Sequence, residues 1–470
     1  MSRYLMCALT VLALLAPVWA AEVEIADDRM LVVKGERVFV LGLYENPDDD
    51  AELARVAEAG FNLVRARADR EALDRLHARG LWAWLNTGGA INVAEPPGGH
   101  AKQLRDMAAQ YGPHPALLVW EVPDEALWNC WYRATQWRRG AEPDQQRERI
   151  AALEDRDLAR ELQRDLDRVQ ALYHTARLAE ADALANAIWR RLGEEPPRPE
   201  LGLGNAQERA EALCAGMLRG YELLRKLDPA HPVWMNHAPR NALEQLAAFN
   251  HAADIVGCDI YPVPFSPLVG HSDLRNRSVS AVGDYTRRMQ AAAPEKPVWM
   301  VLQGFGWGDI QPQRSEAERQ ELRRPTLQET RFMAFDAIVR GARGILYWGT
   351  HAIEKDSRLW NDLLAFAGEI NQLRHVLAAP DAAMPVEVEL EPTWGSLDRG
   401  LVVLPKQVGD ATWLLVVNEW TGPLAYSLRG LGALEGVRYR EWYSEAAVTV
   451  ADGALPHTIA DESVQIWCPE

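Results

Sequence analysis

The chain has 470 residues, 48% hydrophobic and 25% charged, the composition of a globular protein with room for one large domain and one or two small ones. A formal net charge of −17 argues against nucleic acid and anionic membrane as partners, because binding phosphate needs a basic footprint. Eighteen tryptophans are many for this length, and aromatic platforms for sugar rings are one reason beyond core packing for such enrichment.

Residues 1–20 read as a signal peptide. Arg3 supplies the positive start, Met6 to Val18 form an apolar run too short to span a bilayer, and Val18-Trp19-Ala20 places small residues at a cleavage site. The expectation is export to the periplasm or beyond, with no membrane insertion of the mature chain. Cys7 lacks the context of a lipoprotein signal. Export permits disulfides among Cys130, Cys214, Cys258 and Cys468, but their wide spacing specifies none. No Cys-x-x-Cys or His-Glu-x-x-His pattern points to a metal, and no cofactor is expected.

Met30–Val33 and Val38–Leu41 flank Lys34-Gly35-Glu36-Arg37, a hairpin leading into a first core strand. Apolar strands then alternate with amphipathic helices. The predicted strands are Val38–Leu43, Leu63–Ala66, Trp82–Leu85, Leu117–Val122, Val233–Asn236, Ile255–Ile260, Val298–Leu302 and Gly344–Trp348. The intervening helices resemble Glu52–Gly60, which carries apolar residues at helical period and ends on a capping glycine. Eight such beats over residues 21–380 predict a (β/α)8 barrel, an α/β TIM barrel whose site lies at the C-terminal ends of its strands. A doubly wound open sheet lacks support, since no Gly-x-Gly-x-x-Gly follows any strand.

Residues 131–201 break the rhythm. This helical insertion, rich in Arg, Glu and Ala, interrupts the passage from the fourth strand to its helix, so it emerges on the site's face as a solvated helical hairpin or as a lid or subsite wall. From about Pro385 the helical period disappears, and Leu401–Leu404, Thr412–Val417, Leu424–Leu428, Val437–Trp442 and Val464–Trp467 predict a β-sandwich over 385–470.

The run Trp120-Glu121-Val122-Pro123-Asp124-Glu125 ends an apolar strand in a carboxylate cluster beside aromatic residues. Val298-Trp299-Met300-Val301-Leu302-Gln303 has the same build but ends in an amide. The other strand ends offer Glu45, Arg65, Asn86, Asn236 with His237, Asp259 with Tyr261, and Trp348 with His351, with Trp307 beyond the seventh. Converging on one ring, these make a polar, aromatic-lined pocket. Burial among Trp120, Trp128 and Trp131, with Asp124 and Glu121 nearby, is expected to raise the pKa of Glu125. Capping of the next helix is the alternative role for Glu125, ion pairing for Arg65, and packing for Tyr261 and Trp348. His237 is either a general base or a bonded barrel-top histidine.

Over residues 36–375 this pattern resembles clan A glycoside hydrolases. Gly60-Phe61-Asn62-Leu63-Val64-Arg65 looks like that clan's second-strand motif, and Trp120–Glu125 like its fourth-strand motif, whose last glutamate is acid/base. His237, Tyr261 and Trp348 match fifth-, sixth- and eighth-strand site positions. The resemblance implies carbohydrate as substrate, Glu125 as general acid/base, and Gln303 at the nucleophile position with Arg65 beside it. Two departures stand out: Asp124 replaces the usual asparagine, and Gln303 the usual glutamate, which cannot then form a glycosyl ester. Three schemes survive. An inverting one uses Asp259 or Glu45 to activate water. A substrate-assisted one treats Asp124–Glu125 like the acid pair of enzymes that use a 2-acetamido group. In the third, the protein binds sugar without cleaving it. A barrel serving as a structural or interaction module is the reading from a different class.

Overall fold

The computed structural model describes residues 22–238, 240–266, 269, 276–391 and 399–470, so the expected signal peptide lies outside the described residues. Eight parallel strands, Val40–Leu43, Leu63–Ala66, Trp82–Asn86, Leu117–Glu121, Val233–His237, Ile255–Asp259, Val298–Gln303 and Ala342–Trp348, close into a barrel. Closure comes from the eighth strand, which pairs with the seventh (Gln303 opposite Trp348) and with the first (Tyr347 opposite Leu43).

The expected first strand is divided at Phe39. Glu36–Val38 turns back on Leu31–Val33 through Lys34 and Gly35, both at positive φ (53° and 80°), the turn that matches hairpin twist. With Val23–Ile25 these strands form a three-stranded sheet, and its Leu31, Val33 and Val38 pack onto Val40, Leu63 and Val119 inside the barrel. The helices form where capping and apolar spacing agree. Asp49, for example, accepts from the Ala51 and Glu52 amides at the head of Asp50–Ala59, and Gly60 ends that helix at φ 113°.

Alternation sorts each barrel strand. Trp84, Trp234, Trp299 and Leu346 fill the interior, while their neighbours Leu85, Met235, Met300 and Tyr347 face the helices. Carried to the C-terminal ends, the same parity turns Tyr44, Arg65, Asn86, Glu121, Asn236, Asp259, Gln303 and Trp348 inward.

The insertion is more than a hairpin. Helices Glu142–Ala151, Arg156–His174 and Leu178–Arg191 enclose a separate apolar cluster including Leu162, Leu166, Val169 and Ile188. They are joined to helix Ala126–Gln136 through one π-helical turn, Trp137–Ala141. At that turn the buried Arg138 guanidinium donates to Glu142 (2.7 and 3.0 Å) and Asn186 (3.0 Å), and Trp189 Nε1 donates to Glu142 (3.0 Å).

The C-terminal region has a three-stranded and a five-stranded antiparallel sheet packed through Leu414, Val416, Tyr426, Leu455 and Trp467. The opposite face of the larger sheet presents Leu415, Val417 and Ile466 to the barrel's own cluster. Five strands appear where expected. Three more, Glu387–Leu390, Ala447–Thr449 and Leu455–Ile459, escape the apolar pattern because all are edge strands, where charge and proline are tolerated. Among the described residues no helix is long and apolar enough to cross a membrane, and the four described cysteines are unpaired with one another.

Candidate active site

A cavity of about 470 Å³ opens at the C-terminal ends of the strands. The fourth strand ends at Glu121, and Val122-Pro123 carries the chain to Asp124 and Glu125 at its wall. Glu125 occupies the left-handed region (φ 49°, ψ 35°), a conformation a non-glycine side chain resists by ~1–2 kcal/mol. It stands at the N-cap of helix Ala126–Gln136, yet its side chain makes no capping bond. Strain held at a wall residue whose carboxyl is left free of the helix is characteristic of a functional position.

The Glu125 carboxyl lies beside that of Asp259, which the sixth strand delivers to the same cavity. Neighbouring buried carboxyls resist ionising together. Burial, then the Asp124 charge, push Glu125 up to about 7, against the opposing effect of Asp259. Asp259 is raised well above the carboxylate range by burial, then by Glu125 and Asp124. Burial also raises Asp124, against a hydrogen bond from Asn236 Nδ2 to its Oδ1 (2.8 Å).

Aromatic rings line the same cavity. Tyr261 and Trp348 stack at 5.5 Å and 24°, and Trp307 donates its Nε1 to the Tyr261 carbonyl (3.2 Å). The opposite wall is helix Ala126–Gln136, whose Trp128 and Tyr132, one turn apart, stack at 5.7 Å and 23°, with Arg240 over Trp128.

Glu121 lies beneath, fully buried. Asn86 Nδ2 donates to its Oε2 (2.6 Å), Arg65 Nε is 3.5 Å from the same oxygen, and burial followed by the Asp124 charge raises it to about 8. Arg65 and Asn86 border a second cavity of about 750 Å³ that meets the first at Tyr44.

Several expectations are corrected. Gln303 points inward but lines neither cavity. Its Oε1 accepts from Val263 N (2.9 Å), and its Nε2 donates to the carbonyls of Val263 (2.5 Å) and Phe305 (3.0 Å). The site therefore demands an amide, since a carboxylate would face two carbonyl oxygens, and the arginine expected beside Gln303 pairs with Glu121 instead. His237 has the wrong parity. It faces the helix layer, its Nε2 bonds Asn250 Oδ1 (2.8 Å), and burial lowers it to about 4. His351 is exposed, edge-on to Trp348 at 5.6 Å, and is not a lining residue. Trp120 points outward to Asp228 (2.8 Å) and Glu45 pairs with Lys355 (2.7 Å), so neither meets Glu125. Sequence reasoning passed over Tyr44, Tyr132 and Arg240. Parity at the first strand end selects Tyr44 over Glu45, and the Trp128–Tyr132 spacing of four was a legible signal for one helix face.

Neither a protein-family model nor a curated protein matches this chain. Among solved structures it is similar to a glycoside hydrolase of family 5 from Bacteroides vulgatus, at 13% identity and a TM-score of 0.52 over 95% of this chain and 93% of that one. It is also similar to a second glycoside hydrolase, at 12% identity and a TM-score of 0.51 over 96% of each chain. At these identities the likeness is one of fold, a closed eight-stranded barrel with a C-terminal sheet domain.

Proposed function

We propose that this protein is an exported glycoside hydrolase acting on an oligo- or polysaccharide, with Glu125 as general acid/base. The observation that carries the reading is the convergence of Asp124, Glu125 and Asp259 in one cavity walled by two aromatic pairs. An acid near 7 is half-protonated at neutral pH, which suits it to give a proton to a leaving oxygen and recover it from water. Tyr261–Trp348 on one side and Trp128–Tyr132 on the other offer flat apolar faces to pyranose rings.

The arrangement also bears on the scheme. Retention through a glycosyl-enzyme needs carboxyl groups ~5–5.5 Å apart across the anomeric carbon, and inversion needs ~6.5–9.5 Å to admit water. Glu125 and Asp259 come from strands with one strand between them and perturb each other's protonation, which suits carboxyls on one side of the sugar better than a pair flanking it. They favour the substrate-assisted scheme, in which the oxygen of a 2-acetamido group attacks the anomeric carbon as Glu125 protonates the departing oxygen. Water, deprotonated by Glu125, then opens the cyclic intermediate. Asp124, held by Asn236, is the carboxylate placed to accept the acetamido N–H.

The test is a panel of 2-acetamido and 2-hydroxy glycosides, with binding and reducing-end release measured separately. Release confined to 2-acetamido members and lost in Glu125→Gln is expected. Full activity in Glu125→Gln would refute the role of this residue, and equal rates on 2-hydroxy members would refute the scheme. Binding without release by any member would return the protein to the sugar-binding reading.

A further inference from the structure

The catalytic-size cavity is not the end of the aromatic wall. Tyr132 borders it and also borders a separate cavity of about 530 Å³ on the helical insertion. This large aromatic side chain is 44% exposed, although helix Ala126–Gln136 has a buried face available, and its ring stacks on that of Trp128. Beyond Tyr132 the chain enters the π-helical turn, which places Trp137 in the floor of the outer cavity. Trp137 is 4% exposed, its indole Nε1 has no hydrogen-bond partner, and the Arg198 guanidinium sits 5.1 Å over its ring. Gln136, Gln145 and Glu200 complete the wall with exposed donors and acceptors.

We infer that the outer cavity is a distal subsite for the same oligosaccharide, reached by way of Tyr132. The ligand class is a neutral glycan several pyranose units long. One ring stacks on Tyr132, and the next presents hydroxyls to Gln136, Gln145 and Arg198. This rests on the proposed glycan-binding function and adds to it that the insertion sets the preferred chain length. The choice between solvated hairpin and subsite wall then falls to the wall, because a merely solvated insertion needs no exposed aromatic ring shared between two cavities.

The experiment uses the full chain and an array of β-linked oligosaccharides, from about two to six units, of glucose, galactose, mannose, xylose and N-acetylglucosamine. Affinities are measured for wild type, Arg198→Ala, Tyr132→Ala, Tyr132→Phe and Trp348→Ala. In the series that binds, wild-type affinity should climb with length. Tyr132→Ala should lose about tenfold on the longest members, the scale of one stacking contact, and Tyr132→Phe should restore it. Arg198→Ala should weaken the long members and leave the disaccharide unchanged, whereas Trp348→Ala should weaken every length. Equal loss on short and long members in Arg198→Ala, or none on either, would overturn the distal subsite while leaving the proposed function standing. Failure of wild type to bind any member would overturn both.

Discussion

Replacing Glu125 by glutamine tests the acid pair without knowledge of the substrate. A carboxyl raised on folding binds its proton more tightly in the folded chain than in the unfolded one. Below about 4.5 both states are protonated and the group contributes nothing; from there to about 7 the unfolded chain ionises first and stability falls; above 7 the loss is complete. Moving the group from 4.5 to about 7 corresponds to roughly 3 kcal/mol at 1.36 kcal/mol per pH unit. The amide keeps the shape and backbone strain of Glu125 and carries no titrating proton, so Glu125→Gln should escape this penalty. Thermal or urea unfolding of both proteins between about pH 4 and pH 8 should give coinciding stabilities at the acid end and a variant more stable by ~3 kcal/mol at the alkaline end. The neighbouring carboxyl strengthens the effect, since the new amide can donate to Asp259. Stability curves that run parallel across this range would show that the Glu125 carboxyl titrates as if exposed, and the reasoning from its burial beside Asp124 would fail.

Hydrolysis of any substrate found should decline as pH rises through about 7, because Glu125 then loses the proton it must donate; a rate still climbing well above that point would refute its role as acid. Gln303→Glu should destabilise by ~2–4 kcal/mol at neutral pH, with the deficit shrinking as pH falls toward about 4.5 and the introduced carboxyl regains one donor, and should confer no hydrolysis. A gain of hydrolysis would restore the lost-nucleophile reading of this position. Glu125→Asn, measured below about pH 4.5 where charge is absent, should stabilise by ~1 kcal/mol through relief of the left-handed backbone; unchanged stability there would mean the strain is not stored. Arg340→Met should cost ~3–5 kcal/mol by stranding the buried Glu419 carboxylate that Arg340 holds with two bonds of 2.6 Å, and adding Glu419→Gln should recover most of it in unfolding experiments.

The barrel was legible because a strand buried on both sides must be an apolar run, and eight such runs stand out against amphipathic helices. The site was legible only as a set of strand ends. Choosing among neighbours required parity: Asn236 faces the cavity and His237 the helices, although both are polar residues at the same strand end. Glu125 stands at the cavity wall, where its motif led us to expect it, but its approach to Asp259 brings together residues 134 positions apart, on strands with one strand between them. Gln303 was misread for a physical reason: its demand for an amide comes from the carbonyls of Val263 and Phe305, whose directions depend on loop geometry that no residue pattern encodes.

The larger C-terminal sheet is covered on both faces, by the smaller sheet on one side and by helices Leu327–Val339 and Arg358–Leu377 of the barrel on the other. An appended module held by a tether could be trimmed or exchanged at will. Here, ending the chain after the last barrel helix would strip Phe335 and Val376 helices of Leu415, Val417 and Ile466, leaving an apolar face wet and prone to self-association. The boundary visible in the sequence near residue 385 is therefore a change of architecture and not a place to cut, and any grafting of this barrel's specificity onto another scaffold has to carry the sheet with it.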